Sequence, residues 1–176
     1  MADAHDTRNL VEASIGFRPC EPEDLPLLKG WIACPHVAEW WESPEDFEAQ
    51  YRLSPDDVDW YVAQLDGRAF GMIQSYRWAD HREYGGAIGA GPHEAGLDYL
   101  IGEERLTGRG LGRAMLAVFI DRHVRAMPGV RGIRVDVQET NVRSWRCLEA
   151  LGFQRVLAGV TVPGEPGLRF VYSAQL

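Results

Sequence analysis

Apolar and polar residues alternate in several short stretches of the chain, and these stretches predict β-strands. Two of them flank Asp66-Gly67, and Asp-Gly between strand-like runs is a strong signal for a β-hairpin. The segment "GIRVDVQ" alternates in the same way further along the chain. The predicted strands are 14–20, 59–65, 68–76, 94–102, 132–138 and 169–175.

A second pattern, with apolar residues three or four positions apart, predicts helices between the strands. The longest predicted helix places Leu111 and Met115 along one face. Another begins after Ser43, a favoured N-cap residue, and has proline at its first helical position. The stretches 34–41 and 77–93 predict an irregular aromatic connector and a loop. The predicted helices are 21–33, 43–53, 110–127 and 141–153.

The order of these elements, β-α-α-β-β-β-α-β-α-β, predicts an α/β (α+β) fold. We expect a single domain with one mixed central sheet of about six to seven strands, flanked by helices. A length of 176 residues, of which 45% are hydrophobic, fits one domain with a substantial core. We expect residues 1–13 to form a flexible tail and residues 14–176 to form the domain.

Composition narrows the class of partner. The net charge of −8 argues against a general nucleic-acid binder, which is usually basic. The N-terminus lacks a hydrophobic signal region, and the apolar run 114–120 is too short to span a membrane, so we expect a cytoplasmic protein without a membrane partner. The spacing of the three cysteines, Cys20, Cys34 and Cys147, matches no zinc or redox motif, and no HExxH motif occurs. We therefore expect no bound metal.

The segment "RLTGRGLGRAML", residues 105–116, places three glycines and three arginines at the start of a predicted helix. A helix N-terminus carries N–H groups without intrahelical partners and a partial positive charge, and glycine lets a phosphate approach the backbone closely. We therefore predict that the segment binds a pyrophosphate. It is neither a P-loop, which needs Gly-Lys-Ser/Thr, nor a Rossmann loop, whose GxGxxG spacing differs.

The pattern Arg105-x-x-Gly108-x-Gly110 is similar to the R/Q-x-x-G-x-G/A signature of the GNAT acyltransferase superfamily, and it lies between the fourth strand and the third helix as in that family. The segment "NVRSWRCLEALGF" also resembles a GNAT segment. Further likenesses point to one branch, the aminoglycoside 6′-N-acetyltransferases, and cover nearly the whole chain outside the tail: "HVAEWW" at 36–41, "IQSY" at 73–76 and "GLD" at 96–98.

This resemblance implies an enzyme that uses acetyl-CoA to acetylate the 6′-amino group of aminoglycoside antibiotics, which are small polycationic amines. It implies direct attack of the amine on the thioester in a ternary complex. The strand before the glycine segment is expected to offer backbone groups to the pantetheine arm and to polarise the acetyl carbonyl. The implied cofactor-binding residues are Tyr99, Leu100, Ile101, Arg105, Leu106, Thr107, Gly108, Arg109, Gly110, Leu111, Gly112, Arg113 and Asn141.

Aminoglycosides are polycations at pH 7, so their site should carry carboxylates that bind ammonium groups and accept a proton. Asp98 interrupts an apolar strand, where an unpaired charge is rarely buried, and the resemblance makes it the general base, directly or through water. Asp136 either faces solvent by simple alternation or, as the resemblance implies, binds substrate. The other implied acceptor-binding residues are Trp40, Trp41, Tyr51, Gln74, Glu83 and Tyr84.

Simpler structural roles compete at several of these positions. Of the adjacent residues Trp40 and Trp41, we expect one to lie in the core and the other to line the acceptor groove. Solvent exposure is the alternative for Gln74 and its neighbour Ser75, and Asn141 also suits a helix N-cap.

One residue departs from the family pattern. Many GNAT relatives carry a tyrosine that donates a proton to the cofactor sulfur, and that position here is Leu148. The departure keeps open a non-catalytic acyl-CoA sensor. The poor match of the loop 77–93 keeps open another small-amine enzyme, such as a siderophore-pathway N-acyltransferase, and more distantly a protein N-terminal acetyltransferase. The sequence leaves the range of accepted amines undecided, and allows a monomer or a homodimer.

Overall fold

A computed structural model describes residues 12–53 and 56–176 of the chain. Its seven strands form one mixed sheet in the order β1-β2-β3-β4-β5-β7-β6. Neighbours β4 and β5 are parallel, whereas β5 pairs with β7 in an antiparallel register that places Asp136 opposite Val171. The strands are β1 (Ile15–Pro19), β2 (Val58–Leu65), β3 (Arg68–Arg77), β4 (Glu94–Ile101), β5 (Gly132–Gln138), β6 (Gln154–Val160) and β7 (Arg169–Gln175).

Six α-helices connect these strands in the described part of the chain. They are supplemented by 3₁₀ turns at Pro22–Asp24 and Glu104–Leu106 and by a π-helical turn at Ile120–Val124. The helices are α1 (Leu25–Ile32), α2 (Pro35–Ala38), α3 (Pro44–Leu53), α4 (Arg82–Ala87), α5 (Leu111–Phe119) and α6 (Val142–Ala150).

The fold class and the mixed, helix-flanked sheet of the sequence analysis are confirmed. Strands 132–138 and 169–175 were predicted with their observed bounds. Strand β6 was missed because six of its seven residues are exposed and two register shifts interrupt its pairing with β7, so no apolar alternation marks it. The expected tail 1–13 lies almost wholly outside the described residues.

Two expected irregular stretches contain helices, and one helix is shorter than expected. The connector 34–41 includes α2, where Pro35 occupies the first helical position. The loop 77–93 includes α4, which the sequence pattern hides because two glycines lie within it. The predicted helix 110–127 is α-helical only to Phe119 and then continues as the π-helical turn.

The described residues group into two compact units. The first contains the residues up to Gln74 together with Tyr99–Phe119. Its core is aromatic and aliphatic: Phe47 is fully buried, and its ring lies 5.4 Å from that of Trp60 in an edge-to-face contact. Leu28, Ile32, Val62 and Met72 complete that core.

The second unit contains Ser75–Asp98 and Ile120–Leu176. Its core is built around Trp78, which packs with Ile88, Val162 and Val171. The Trp78 indole N–H donates to the carbonyl oxygen of Arg134 at 2.8 Å, so the buried ring is anchored at its polar atom as well as by packing. Within the described residues, no helix is both long enough and apolar enough to cross a bilayer.

Candidate active site

The second unit gathers two carboxylates, two phenols and one guanidinium into a single polar cluster beside its aromatic core. The members come from five elements of the unit and are Tyr76, Tyr84, Asp98, Asp136 and Arg169. Polar groups in such surroundings are costly unless they pair, and hydrogen bonds within the cluster and to Glu165 satisfy most of its polar atoms, although the buried Nε of Arg169 has no partner among the described residues. We take it as the candidate acceptor side of the active site.

Asp98 is half-buried on β4 and accepts a hydrogen bond from the hydroxyl of Tyr76 at the end of β3. Burial raises the pKa of Tyr76 well above its ordinary value, and the negative charges of Asp98 and Asp136 raise it further. Tyr76 therefore remains a neutral donor across the physiological pH range, which leaves its partner Asp98 as the group that can take up a proton.

The Tyr76 ring is held by close packing. A Cβ atom at Gly96, two residues before Asp98, would overlap the ring, so glycine is required for the ring to lie there. The rings of Trp78 and His81 each meet the Tyr76 ring edge-to-face at 5.0 Å. These contacts fix the direction from which the hydroxyl reaches Asp98.

Asp136 on β5 is already engaged by two donors. Its Oδ2 accepts a hydrogen bond from the Tyr84 hydroxyl at 3.1 Å and from Arg169 Nη1 at 2.8 Å. The side chains of Asp136 and Arg169 are 7% and 9% exposed, so the pair is a buried ion pair. Arg169 also reaches the partly exposed Glu165 at 2.8 Å. The solvent-facing alternative for Asp136 is therefore wrong.

The charges around Arg169 keep it a cation. Burial lowers the pKa of its guanidinium, but Tyr84, Asp136 and Glu165 together raise that pKa above its ordinary value. The sequence analysis missed this residue because Arg169 begins a strand and looks like a solvent-facing arginine; only the pairing of β5 with β7 brings it to Asp136.

Tyr84 reaches the cluster from α4, where its ring stacks on Trp78 with a centroid distance of 5.8 Å and an interplanar angle of 15°. Burial raises the pKa of its hydroxyl, as does the negative charge of Asp136. The adjacent Glu83 is exposed on the same short helix. The structure thus brings Tyr84 into the cluster and leaves Glu83 on the surface of the unit.

The glycine segment lies in the first unit, between the end of β4 and the start of α5. Gly108 and Gly110 have positive φ angles of 70° and 79°, and a Cβ at either position would meet no heavy atom within 4 Å. The carbonyl of Gly110 accepts the first helical hydrogen bond, from the Ala114 N–H at 3.1 Å. The open space beside the helix N-terminus fits a phosphate group that approaches the backbone.

The chain that enters this segment is tightly held. A Cβ at Gly102 would overlap the Trp31 ring, and the Gly102 N–H donates to the Phe70 carbonyl at 2.9 Å. His36 Nε2 lies 2.9 Å from the carbonyl oxygen of Ile101, to which it donates. The sequence analysis did not single out His36. The exposed Arg105 pairs with Glu103 at 3.4 Å.

Asn141 and Leu148 lie on or beside α6. The Asn141 side chain accepts a hydrogen bond from the Ser144 N–H at 3.2 Å and caps the helix, so the capping role is confirmed and coenzyme binding stays a prediction. Leu148 is 2% exposed and packs as a core residue.

The other predicted acceptor residues lie in the first unit. Trp41 packs against its core, with its ring 6.3 Å from Phe47, and Trp40 is half-buried. Tyr51 packs against the same core and donates its hydroxyl to the Cys20 carbonyl at 3.3 Å. Gln74 is 6% exposed, so solvent exposure is excluded for it. Their roles in acceptor binding stay predictions.

Among the described residues, no group of three or more His, Cys, Asp or Glu side chains converges as a metal site would require.

Comparison with known proteins shows the family of the chain. Residues 21–159 match the family model of the acetyltransferase (GNAT) domain. The chain is 29% identical to an aminoglycoside N(6′)-acetyltransferase type 1 of Klebsiella pneumoniae, over 92% of this chain and 84% of that protein. It also resembles the solved structure of AAC(6′)-Ib in complex with ribostamycin and coenzyme A, with a TM-score of 0.75, 28% identity, and coverage of 92% of this chain and 93% of that one.

A more distant relative has a different acceptor. The chain is 24% identical to the lysine N-acyltransferase MbtK of Mycobacterium sp. (strain MCS), over 85% of this chain and 60% of that protein.

Proposed function

This chain belongs to the GNAT acetyltransferase family, and we propose that it transfers the acetyl group of acetyl-CoA to the 6′-amino group of aminoglycosides. The polar cluster around Asp98 is the observation that carries the proposal. It supplies a carboxylate that accepts a hydrogen bond from the neutral Tyr76 hydroxyl, which suits a group that binds an ammonium ion and takes up its proton. The 29% sequence identity to an aminoglycoside N(6′)-acetyltransferase supports the choice of acceptor.

Asp98 is assigned the role of general base. At neutral pH the acceptor amine arrives protonated, and the carboxylate attracts it and accepts its proton, directly or through a water molecule. Only the neutral amine has the lone pair that attacks a thioester. The hydrogen bond from Tyr76 leaves Asp98 in a defined orientation for that transfer.

The donor is assigned to the first unit. The open glycines Gly108 and Gly110 and the first N–H groups of α5 fit the pyrophosphate, with Arg105, Arg109 and Arg113 adding positive charge. Backbone groups of Tyr99–Ile101 are assigned to the pantetheine arm. Acetyl-CoA supplies the acetyl thioester. An N–H group of this strand is assigned to polarise its carbonyl.

No acid is assigned at the position of Leu148, because a leucine has no proton to donate. A thiol with a pKa near that of cysteine, about 8.5, is a tolerable leaving group, so water suffices as its proton source near neutral pH. We therefore expect the missing tyrosine to slow the reaction less than loss of the base would.

A thiol-release assay tests the proposal. Purified protein and acetyl-CoA are offered aminoglycosides that carry a 6′-amine and matched ones that carry a 6′-hydroxyl. We expect release only with the former. Asp98→Asn should lower kcat by roughly 10²–10⁴-fold, with the dissociation constant for CoA nearly unchanged. Asp80→Asn, an exposed aspartate of the same unit, serves as the matched control. Equal activity of Asp98→Asn would remove this residue from the mechanism.

A second acceptor class is favoured by two observations. One relative is a lysine N-acyltransferase, and Arg169 already compensates Asp136, which leaves less negative charge for a polycation. Lysine and hydroxylated lysine therefore belong in the same assay, and release with these amines alone would favour a small-amine N-acyltransferase. Binding of CoA without turnover of any amine would instead indicate a sensor.

A further inference from the structure

We infer that Tyr76 is a positioning residue that orients the carboxylate of Asp98 for proton transfer; the inference rests on the proposed function of Asp98 as the base. The Tyr76 hydroxyl is a hydrogen-bond donor to the Asp98 side chain, and the two residues lie in the same compact unit. Tyr76 was not among the residues singled out from the sequence, because a tyrosine at a strand end usually serves packing alone.

The surroundings of Tyr76 indicate a fixed donor. Gly96 lies on β4 two residues before Asp98 and leaves room for the Tyr76 ring, which a Cβ atom at this position would overlap. The rings of Trp78 and His81 pack edge-to-face against the Tyr76 ring. A ring confined in this way can offer its hydroxyl in one direction only, which restricts the rotamers of the carboxylate that accepts it.

The electrostatic consequence has a definite sign. A hydrogen bond donated to the charged form of a carboxyl group favours that form, so Tyr76 keeps Asp98 ionised to lower pH than it would otherwise be. The charged or titratable groups around Tyr76 are Asp98 on β4, Asp136 on β5, Tyr84 on α4 and His81 before that helix, with Arg169 paired to Asp136. Removal of the Tyr76 hydroxyl leaves all of these in place.

Tyr76→Phe is the sharpest test, because it deletes one oxygen atom and keeps the packed ring. We expect kcat to fall about tenfold, the acid limb of the kcat profile to move up by about one pH unit, and the dissociation constant for CoA to stay the same. Tyr172→Phe is the matched control, since Tyr172 is a buried tyrosine that likewise donates to a carboxylate, that of Glu149, at 2.9 Å. That control should leave the acid limb in place.

A second readout needs no acceptor. Carbon-13 NMR titration of the aspartate carboxyl groups, with the Asp98 signal assigned from Asp98→Asn, should show the midpoint of Asp98 rising in Tyr76→Phe. A wild-type midpoint and a wild-type acid limb in this variant would overturn the inference. If no amine is acetylated by the wild-type protein, the proposed function fails, while the NMR titration still decides whether Tyr76 sets the ionisation of Asp98.

Discussion

Replacement of Arg169 by methionine tests the polar cluster through its buried ion pair. The substitution keeps an unbranched side chain of similar reach and removes the guanidinium. Asp136 then stays on β5 with its side chain 7% exposed and without the cation that lies 2.8 Å from its Oδ2. The hydrogen bond from the Tyr84 hydroxyl at 3.1 Å is left in place.

The structure sets the size of the effect. Loss of one partner from a buried ion pair usually costs about 3–5 kcal/mol, because the remaining charge is buried without compensation. The donor that remains on Asp136 places the expected cost near the lower end, at about 3 kcal/mol. For a domain of this size each kcal/mol corresponds to roughly 2–4 °C, so the melting temperature should fall by about 6–12 °C. The second ion pair of Arg169, with Glu165, adds little because that carboxylate is 46% exposed.

Urea unfolding monitored by circular dichroism measures these free energies. We expect Arg169→Met to cost about 3 kcal/mol and the double variant Asp136→Asn/Arg169→Met to recover most of it, because no buried charge remains. Glu165→Gln is the control and should cost less than about 1 kcal/mol. A loss below about 1 kcal/mol in Arg169→Met, or no recovery in the double variant, would refute the interpretation of this pair as buried and mutually compensating.

Two further outcomes are expected. Gly110→Val should weaken CoA binding, because a β-branched residue is strained at a φ of 79° and its side chain enters the space assigned to the phosphates. Gly129→Val is the control: it has the same φ and equal space around its Cβ, so it should lose stability without losing affinity for CoA. Calorimetry of CoA binding to both variants distinguishes loss of affinity from loss of stability. Asp24→Asn should cost about 1 kcal/mol at pH 7, since hydrogen bonds from the part-exposed Arg18 lower the pKa of Asp24. A carboxyl whose folded pKa lies below the unfolded value of about 3.9 stabilises the fold above that pH and loses its contribution as pH falls. The difference in unfolding free energy between the wild type and Asp24→Asn should therefore shrink below about pH 4. A difference that stays constant with pH would contradict this expectation.

Local pattern was enough to predict most of the fold. Strand β5 alternates because one face packs in the core, where Ile133, Val135 and Val137 are buried, and the same signal located β7. Where burial is absent the signal disappears, as along the exposed β6. Helix α4 was not predicted for a different reason. Its glycines have low helix propensity, and packing of Tyr84 and Ala87 against the aromatic core stabilises the helix.

The candidate site was predictable only for residues that stand out against their own neighbours in sequence. Asp98 is conspicuous because it interrupts an apolar strand. The glycine segment is conspicuous because it places several glycines at the start of a helix, where they make the backbone flexible. Tyr76 and Arg169 are ordinary residues at strand ends, and their roles arise from strand pairing and from the absence of a side chain at Gly96. Such roles depend on register, which the sequence of one strand does not specify.

The same distinction separates the two carboxylates. Asp98 interrupts an apolar strand and Asp136 lies in an alternating one, and the sequence made both of them candidates for binding the same polycation. In the structure Asp98 accepts a hydrogen bond from a neutral phenol, whereas Asp136 is paired with a guanidinium that balances its charge. A carboxylate whose charge is balanced by a buried guanidinium attracts an ammonium ion less and chiefly stabilises its surroundings. The ion pair with Arg169 therefore makes Asp136 the less suited of the two aspartates to act as the base.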